Sequence, residues 1–351
     1  MQKGERGDDV ALIGRLRTQV VEAIDEAVPA DAPVALVNFP NHANAGDDAL
    51  WLATLDVLRT LGRHVAYAAS WSSYEPGALR AAAPEGPILL NAGGNLGDVY
   101  PGQQGTRERV LQDFAGRPVV QLPQSLWFRE QENLDRMRRL VDAHGAFSLM
   151  VRDDVSLQQA RAAFDAPVQR VPDLVFSSGP LPRPEVAPEL RARVLWQARR
   201  DPEMPGALDG SDLQEPPAGV VRADWLAPYD HEPPQPLSFR VARRAYATLG
   251  GTEPVTSAAR ARLLARTFEP LARHWLHRGT ALLARGDVVV TDRLHGHVLC
   301  LLMGIPHVVT PNRNGKVRAL WDTDTHDAHV AHWADAPADA IDLALDLAGS
   351  R

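Results

Sequence analysis

The sequence predicts an α/β protein built from two doubly wound parallel sheets. Three observations carry that expectation. Apolar, β-branched runs alternate with helix-like segments over roughly the first 170 residues, the pattern of parallel strands joined by crossover helices. The chain has 351 residues, more than one typical α/β core holds. A second strand–turn–helix–strand unit stands at 287–309, beyond a proline-rich stretch at 177–189 that reads as a domain boundary.

Composition removes several classes of function. Hydrophobic residues make up 45% and charged residues 23% of the chain, as in ordinary globular proteins. The net charge of −7 comes without a basic tail, which argues against a general nucleic-acid binder. Cys300 is the single cysteine, so there is no disulfide framework and a reducing compartment is expected. The polar start MQKGERGDD and the lack of a long apolar run give no leader and no membrane span, so a soluble, cytoplasmic protein is expected. Of 37 basic residues only Lys3 and Lys316 are lysines. The position of the internal lysine is therefore worth weighing, because an ammonium is a point charge that the arginine fork does not reproduce.

In chain order, 9–28 carries apolar residues at helical spacing and predicts a packing helix. APVALVNFP (32–40) predicts a strand that feeds the loop and helix of 41–62. Asn44, Gly46, Asp47 and Asp48 fall at that junction, where small residues let a ligand approach the backbone and where Asp47 also suits a helix cap. HVAYAAS (64–70) predicts a second strand. PILLNAGGNLGDVY (87–100) predicts a third strand and a glycine-rich turn, followed by a helix with Arg107 and Arg109. One arginine of such a pair faces solvent as a rule. RPVVQLPQSLWF (117–128) and GAFSLMV (145–151) predict further strands. The first ends in Gln121, Gln124 and Ser125. After the second, Asp153 or Asp154 suits a helix cap with Arg152 as its ion-pair partner. VQRVPDLVF (168–176) closes the series. RVLWQARRD (193–201) opens the second half with a strand ending in Arg199 and Arg200, and 202–240 reads as an extended, proline-rich connection with room for a short strand. Residues 255–285 predict one or two long helices.

The most pointed stretch is DVVVTDRLHGHVLCLLMGIPHVV (287–309). Val288, Val289 and Val290 form a run suited to a strand covered on both faces. Asp292, Arg293, His295 and His297 then arrive together at its carboxyl end. Open α/β sheets bind ligands there, where the next helix also offers unpaired N–H groups to an anion. Asn312, Asn314, Gly315 and Lys316 follow the next strand and lie beside that turn if the sheet is parallel. The histidines and aspartates of 322–335 lack the spacing and cysteines of a structural zinc site, and read as a solvated polar segment. The chain ends in an amphipathic helix.

TDRLHGHVLCLLMGIPHVV resembles the signature of the polysaccharide pyruvyl transferase family, whose members move an enolpyruvyl unit from phosphoenolpyruvate onto sugar hydroxyls. The resemblance extends to the N-x-GD segment at Asn44, Gly46 and Asp47. It also covers the glycine block with Gly93, Gly94, Asn95, Gly97, Asp98, Tyr100 and Gln104, where Ala92 replaces the family's first glycine. The strand-end arginine, Arg199 or Arg200, and the asparagine and lysine at Asn312 and Lys316 complete it.

The resemblance implies two Rossmann-like domains facing across a cleft in a GT-B-like arrangement. Residues 1–178 would form the acceptor side, 190–335 the phosphoenolpyruvate side, and 336–351 a helix packing back. It implies an enzyme of exopolysaccharide or cell-surface glycan biosynthesis that forms a pyruvate ketal and releases phosphate. The saccharide acceptor could be free or lipid-linked, with no metal or cofactor, and a homo-oligomer is compatible with it. For that chemistry His295 is the natural general acid/base and Arg293 the anion clamp. Arg199 and Lys316 would be secondary clamps, Asp292 would orient His295 or Arg293, and His297 would support. Asn312, Asn44, Gly46, Asp47, Gly94, Asn95, Asp98 and Gln124 are expected around the substrate. Two other classes suit a two-lobed α/β chain: a nucleotide-sugar glycosyltransferase and a non-catalytic sugar- or phosphate-binding module.

Overall fold

The computed structural model describes residues 3–199 and 216–349. Arg200, the alternative strand-end arginine, lies outside the described residues.

Seven strands make the first sheet: β1 (Val34–Phe39), β2 (Val65–Ser70), β3 (Ile88–Leu90), β4 (Gly93–Gly97), β5 (Val119–Trp127), β6 (Phe147–Val151) and β7 (Val168–Arg170). Their order is β2-β1-β3-β5-β6-β7, with β4 added beside the outer half of β5, and every pairing is parallel. Five strands make the second sheet: β8 (Ala192–Gln197), β9 (Val220–Ala223), β10 (Gly286–Thr291), β11 (His307–Val309) and β12 (Ala331–Trp333). They lie in the order β12-β11-β10-β8-β9, again all parallel. All strands of the first sheet precede residue 178 and all of the second follow residue 190.

Eleven α-helices join them among the described residues: α1 (Lys3–Ala27), α2 (Ala45–Thr60), α3 (Pro76–Ala82), α4 (Pro101–Asp113), α5 (Gln131–His144), α6 (Asp154–Ala163), α7 (Leu237–Thr248), α8 (Ala258–Leu283), α9 (Leu294–Met303), α10 (Lys316–Leu320) and α11 (Pro337–Gly349). The β-branched runs sit in the sheet centres because both faces are covered: Val34 to Val37 and Val288 to Val290 are wholly buried. On the second sheet, Ala340, Ile341 and Ala344 of α11 close over Val194, Val288, Val290 and Val308.

The connections depart from the sequence reading in four places. The glycine-rich turn after β3 is itself strand β4, held by β5. The segment 168–176 is strand only to Arg170, then a 3-10 turn over Leu174–Ser178. The polar stretch after 322 contains β12, whose outward side chains masked its strand character. Part of 202–240 is strand β9, the short strand for which the sequence left room, but its end is not extended and opens α7. Helices α7 and α8 come from the second half of the chain, yet α8 packs on α2 and β2 of the first sheet. Phe268 of α8 stacks on Phe39 of β1 with ring centroids 4.1 Å apart, and Trp51 of α2 meets both rings edge-on.

Candidate active site

The strand orders fix where a ligand can sit. In the first sheet the chain reverses direction of growth between β1 and β3; in the second it reverses between β8 and β10. Helices leave to opposite faces at such points and open a crevice beyond the strand ends. One pocket of about 170 Å³ joins both crevices. It is lined by Asn38 and Pro40 after β1, Asn91 and Ala92 after β3, Arg199 after β8, and Arg293 to His295 after β10. Arg152, Lys316, His42, Asn44 and Asp47 complete much of its wall. Four permanently cationic side chains thus face one small volume against a single lining carboxylate, in a chain of net charge −7.

The strand-to-helix turn after β10 carries two of these groups. Thr291 Oγ1 accepts the Arg293 N–H at 3.1 Å, fixing the turn that throws both side chains outward. Arg293 is 3% exposed and grips Asp224 in bidentate fashion, Nε to Oδ1 at 2.9 Å and Nη2 to Oδ2 at 2.7 Å. Its guanidinium also lies over Trp225, 5.6 Å from the ring centroid. His295 stands in the first turn of α9 with Nε2 3.3 Å from Asp173 Oδ2 and 3.5 Å from Arg152 Nη1. Burial alone would raise the Asp173 carboxyl. The His295 imidazole and the Arg152 guanidinium, 2.6 Å away, overrule it and hold Asp173 below the usual carboxylate range.

Asp292 plays a different part from the orienting role expected of it. His295 takes its carboxylate from Asp173 and Arg293 takes its own from Asp224, while Asp292 Oδ1 accepts the backbone N–H of Arg199 at 3.3 Å. It is buried outside the pocket lining, and burial raises it, against the pull of Arg199 and Arg293, to about 7. His297 is also structural. It points inward, with Nδ1 2.7 Å from His307 Nε2 and Nε2 2.8 Å from Thr325 Oγ1.

The loop before α2 supplies the opposite wall. Asn44 caps the helix, its Oδ1 accepting Gly46 N–H at 3.2 Å and its amide donating to Asp47 Oδ2 at 2.8 Å. His42 Nε2 meets the same oxygen at 2.8 Å. Burial would raise Asp47, but His42, then His295 and Lys316, hold it well below the ordinary carboxylate value. Gly46 serves close approach rather than ligand contact: a Cβ there would stand 2.4 Å from His295 Nδ1.

In the glycine block, Gly94, Asn95 and Tyr100 reach the pocket, whereas Gly93, Gly97, Asp98 and Gln104 do not. A Cβ on Gly94 would come within 2.9 Å of Arg152 Nη2 and 3.1 Å of Lys316 Nζ, so bare backbone there lets two cations converge. Asn95 is locked from behind. Gln124 Oε1 accepts its N–H at 3.0 Å, and Arg107 Nη2 donates to its Oδ1 at 2.8 Å. Gln124 is therefore a support for β4 rather than a pocket residue. Arg107 is wholly buried, which lowers it to about 9, whereas Arg109 is exposed over the Tyr74 ring. Asp98 corrects another expectation. It lies away from the pocket and caps α5 by accepting the N–H groups of Arg129 and Glu130 at 2.9 to 3.0 Å. Asn312 is likewise structural: its Oδ1 accepts the Val317 N–H at 3.2 Å in the first turn of α10. Lys316, the next residue of interest, does line the pocket.

Several pocket residues escaped the sequence reading. Arg152 was expected to pair with Asp153 or Asp154, but Asp153 caps α6 through Ser156 N–H and binds Ser125 Oγ. Arg152 turns instead to Asp173 and His295. Asp173 and Asp224 lie in segments with no glycine or charge cluster to single them out. Asn38 ends β1 at φ 75°, an uncommon conformation for a residue with a side chain. Its Oδ1 is buried and accepts no hydrogen bond among the described residues. Strained, unsatisfied groups of this kind concentrate at ligand sites.

These features define a parallel α/β protein with a cation-lined pocket at two sheet switch points. A family model, Polysaccharide pyruvyl transferase, matches residues 44–314, and the chain belongs to that family. It is 31% identical over 328 residues to Pyruvyl transferase 1 of Schizosaccharomyces pombe, covering 90% of this chain and 75% of that protein. It is 24% identical over 299 residues to Putative pyruvyl transferase EpsO of Bacillus subtilis, covering 85% and 87%. A solved structure of a functionally uncharacterized Klebsiella pneumoniae protein shares the fold, with a TM-score of 0.54 at 15% identity over 96% of this chain and all of that one.

Proposed function

We propose that the protein transfers pyruvate from phosphoenolpyruvate to a saccharide as a ketal, releasing phosphate, in the biosynthesis of a polysaccharide or cell-surface glycan. The observation that carries this reading is the convergence of Arg152, Arg199, Arg293 and Lys316 on one pocket with His295 among them. Phosphoenolpyruvate bears a phosphate and a carboxylate on the same carbon. A donor with two anionic groups matches several cations at the junction of two sheets better than it matches a single phosphate cradle. In this proposal the sheets belong to two Rossmann-like domains, 1–178 on the acceptor side and 190–335 on the donor side.

His295 protonates the methylene carbon, making the oxygen-bearing carbon electrophilic. One acceptor hydroxyl attacks that carbon and returns its proton to His295. A second hydroxyl then displaces phosphate from the same carbon, its proton leaving with the phosphate, and the ketal closes. Arg199, Arg293 and Lys316, joined by Arg152, neutralise the phosphate as it leaves. Asp173 keeps the His295 ring oriented. The buried Oδ1 of Asn38 is suited to receive an acceptor hydroxyl.

Inorganic phosphate release from phosphoenolpyruvate with a panel of galactosides, glucosides and mannosides tests the proposal. Release with one acceptor class is expected. No release with any acceptor, together with a thermal shift by nucleotide sugars and none by phosphoenolpyruvate, would replace it with glycosyl transfer.

A further inference from the structure

Away from the pocket, charge is sorted unevenly along the chain. The segment 237–283, helices α7 and α8 with their connection, holds eight arginines and only two carboxylates, Glu253 and Glu269. The whole protein is at −7. On α8 the residues Arg262, Arg266, Glu269, Arg273 and His277 recur at spacings of three and four, which places them on one stripe. That stripe walls a groove of about 760 Å³ against edge strand β2 and the outer face of α2. Glu269 is consumed by Arg59 and Arg273. The guanidinium groups of Arg262 and Arg266 are exposed and make no ion pair or hydrogen bond among the described residues, and neither do those of Arg240 and Arg244 of α7.

The rim of the groove is apolar where a soluble surface would be polar. Helix α7 buries Phe239, Ala242 and Tyr246 and turns Leu237 and Val241 to the outside, 71% and 60% exposed. Leu263 of α8, beside the arginine stripe, is 49% exposed. Pro236 and Ser238, either side of Leu237, line the groove itself. Large aliphatic side chains standing out among unpaired guanidinium groups are what an interfacial amphipathic helix presents to a bilayer. A protein partner would have to meet the arginines with carboxylates and the aliphatic side chains with an apolar pocket, whereas an anionic bilayer offers phosphates and an apolar layer together.

We propose that the α7–α8 face is a docking surface for an anionic membrane, with lipid phosphates in the arginine groove and Leu237, Val241 and Leu263 entering the headgroup layer. Charge complementarity and the outward aliphatic rim point to the same occupant. No helix among the described residues is long and apolar enough to cross a membrane, so attachment here is peripheral. The proposal is independent of the reaction assigned to the pocket.

Co-sedimentation of the full chain with phosphatidylglycerol–phosphatidylcholine vesicles, against phosphatidylcholine alone, tests it. Binding to the anionic vesicles only is expected, weakening as salt rises. Juxtamembrane arginines contribute separately, so Arg262→Glu with Arg266→Glu should weaken vesicle binding by about ten-fold or more. Leu237→Ser with Val241→Ser should remove the part of the binding that survives salt. Arg139→Glu with Arg161→Glu makes the same change of charge on exposed positions of α5 and α6 and should leave binding intact. Circular dichroism of each variant separates lost docking from lost folding, and the salt series on the unaltered chain needs no variant. Equal binding to both vesicle types, no binding to either, or equal losses in the control pair would overturn the proposal. So would a thermal shift by millimolar inorganic phosphate, lost in Arg262→Glu with Arg266→Glu, without vesicle binding, which would make the groove a site for a free anion.

Discussion

Arg293 and Asp224 form a closed two-point contact, with both guanidinium nitrogens 2.7 to 2.9 Å from the carboxylate and both residues almost wholly buried. The pairing sets the clamp's direction before any ligand arrives. It also makes Asp224 costly to remove, because a lone buried cation is worse than none. Asp224→Ala should destabilise the fold by roughly 3–5 kcal/mol, whereas Asp224→Asn should retain one hydrogen bond and lose less. Both should weaken donor binding, read as a higher KM for phosphoenolpyruvate. Thermal unfolding of the two variants checks the order, and an unchanged melting temperature in Asp224→Ala would contradict it.

Gly46 and His295 define the second relationship that can be tested alone. An added methyl at 46 would overlap the imidazole, 2.4 Å from Nδ1. The methyl would also stand 2.6 Å from the His295 Cβ, so the ring cannot simply swing aside and α2 and α9 must separate slightly. Gly46→Ala should therefore cost about 1–3 kcal/mol of stability by overpacking while displacing the ring. A misplacement of about 1 Å can cost on the order of 100-fold in rate. Wild-type turnover in this variant would show that His295 does not need its present position.

The imidazole itself gives a complementary prediction. His295→Gln keeps the volume and a hydrogen-bonding group but cannot deliver a proton at neutral pH. Turnover should fall by about 10²–10⁴-fold with donor affinity little changed. Asp173→Asn should reproduce part of that loss, since the carboxylate that holds the ring at 3.3 Å is gone. Retained turnover in His295→Gln would move the acid to another residue.

What the sequence could tell about the site depended on whether a residue belonged to a local pattern. Arg293, His295, Lys316, Asn44, Asp47, Gly94 and Asn95 each follow a strand end or open a helix, and all of them line the pocket or, like Gly94, let its cations meet. The strands were legible for the same reason, because burial on both faces demands continuous β-branched runs. Asp173 and Asp224 were invisible because their meaning is purely spatial: each is a single carboxylate brought to a cation by a fold closing over 121 or 68 intervening residues. Asp98, Gln124 and Asn312 show the converse error. Their positions at turns suit a ligand and a helix cap equally, and only the direction of the side chain decides between them. Strands β4 and β12 carry glycine and polar residues and take their form from a neighbouring strand rather than from their own propensity.

Asp292 offers a stability test with a defined sign. Its folded carboxyl is raised to about 7 from an ordinary value of 3.8. Below that ordinary value both folded and unfolded chains hold the proton. As pH rises towards 7 the unfolded chain releases it first, so the native state loses stability across that window. Asp292→Asn still accepts the Arg199 N–H and has no charge to bury. It should melt higher than the unaltered protein at pH 8, by about 1–1.5 °C for a gain near 1 kcal/mol, and the advantage should shrink towards pH 4. An advantage that grew on acidification would contradict the assignment.

The His297–His307 pair runs the opposite way. Both rings are wholly buried, 2.7 Å apart, and burial lowers both, His307 to about 4 and His297 well below its usual value. Above about pH 6.5 the rings are neutral whether the chain is folded or not, so they do not affect the balance. Below it the unfolded chain takes up protons that the folded core refuses, and stability falls as pH drops towards 4. The slope for one such histidine approaches 1.4 kcal/mol per pH unit once its unfolded form is fully protonated. The raised carboxyls of Asp292 and Asp324 oppose this in the same range, so the comparison must be made against a variant. His307→Asn removes one acid-refusing ring and leaves both carboxyls. The melting temperature of the unaltered protein should therefore fall more steeply between pH 7 and pH 5 than that of His307→Asn, even though the variant starts lower through its lost packing. Parallel curves would mean that the pair takes up protons in the folded state, and that its burial is not what the 2.7 Å contact requires.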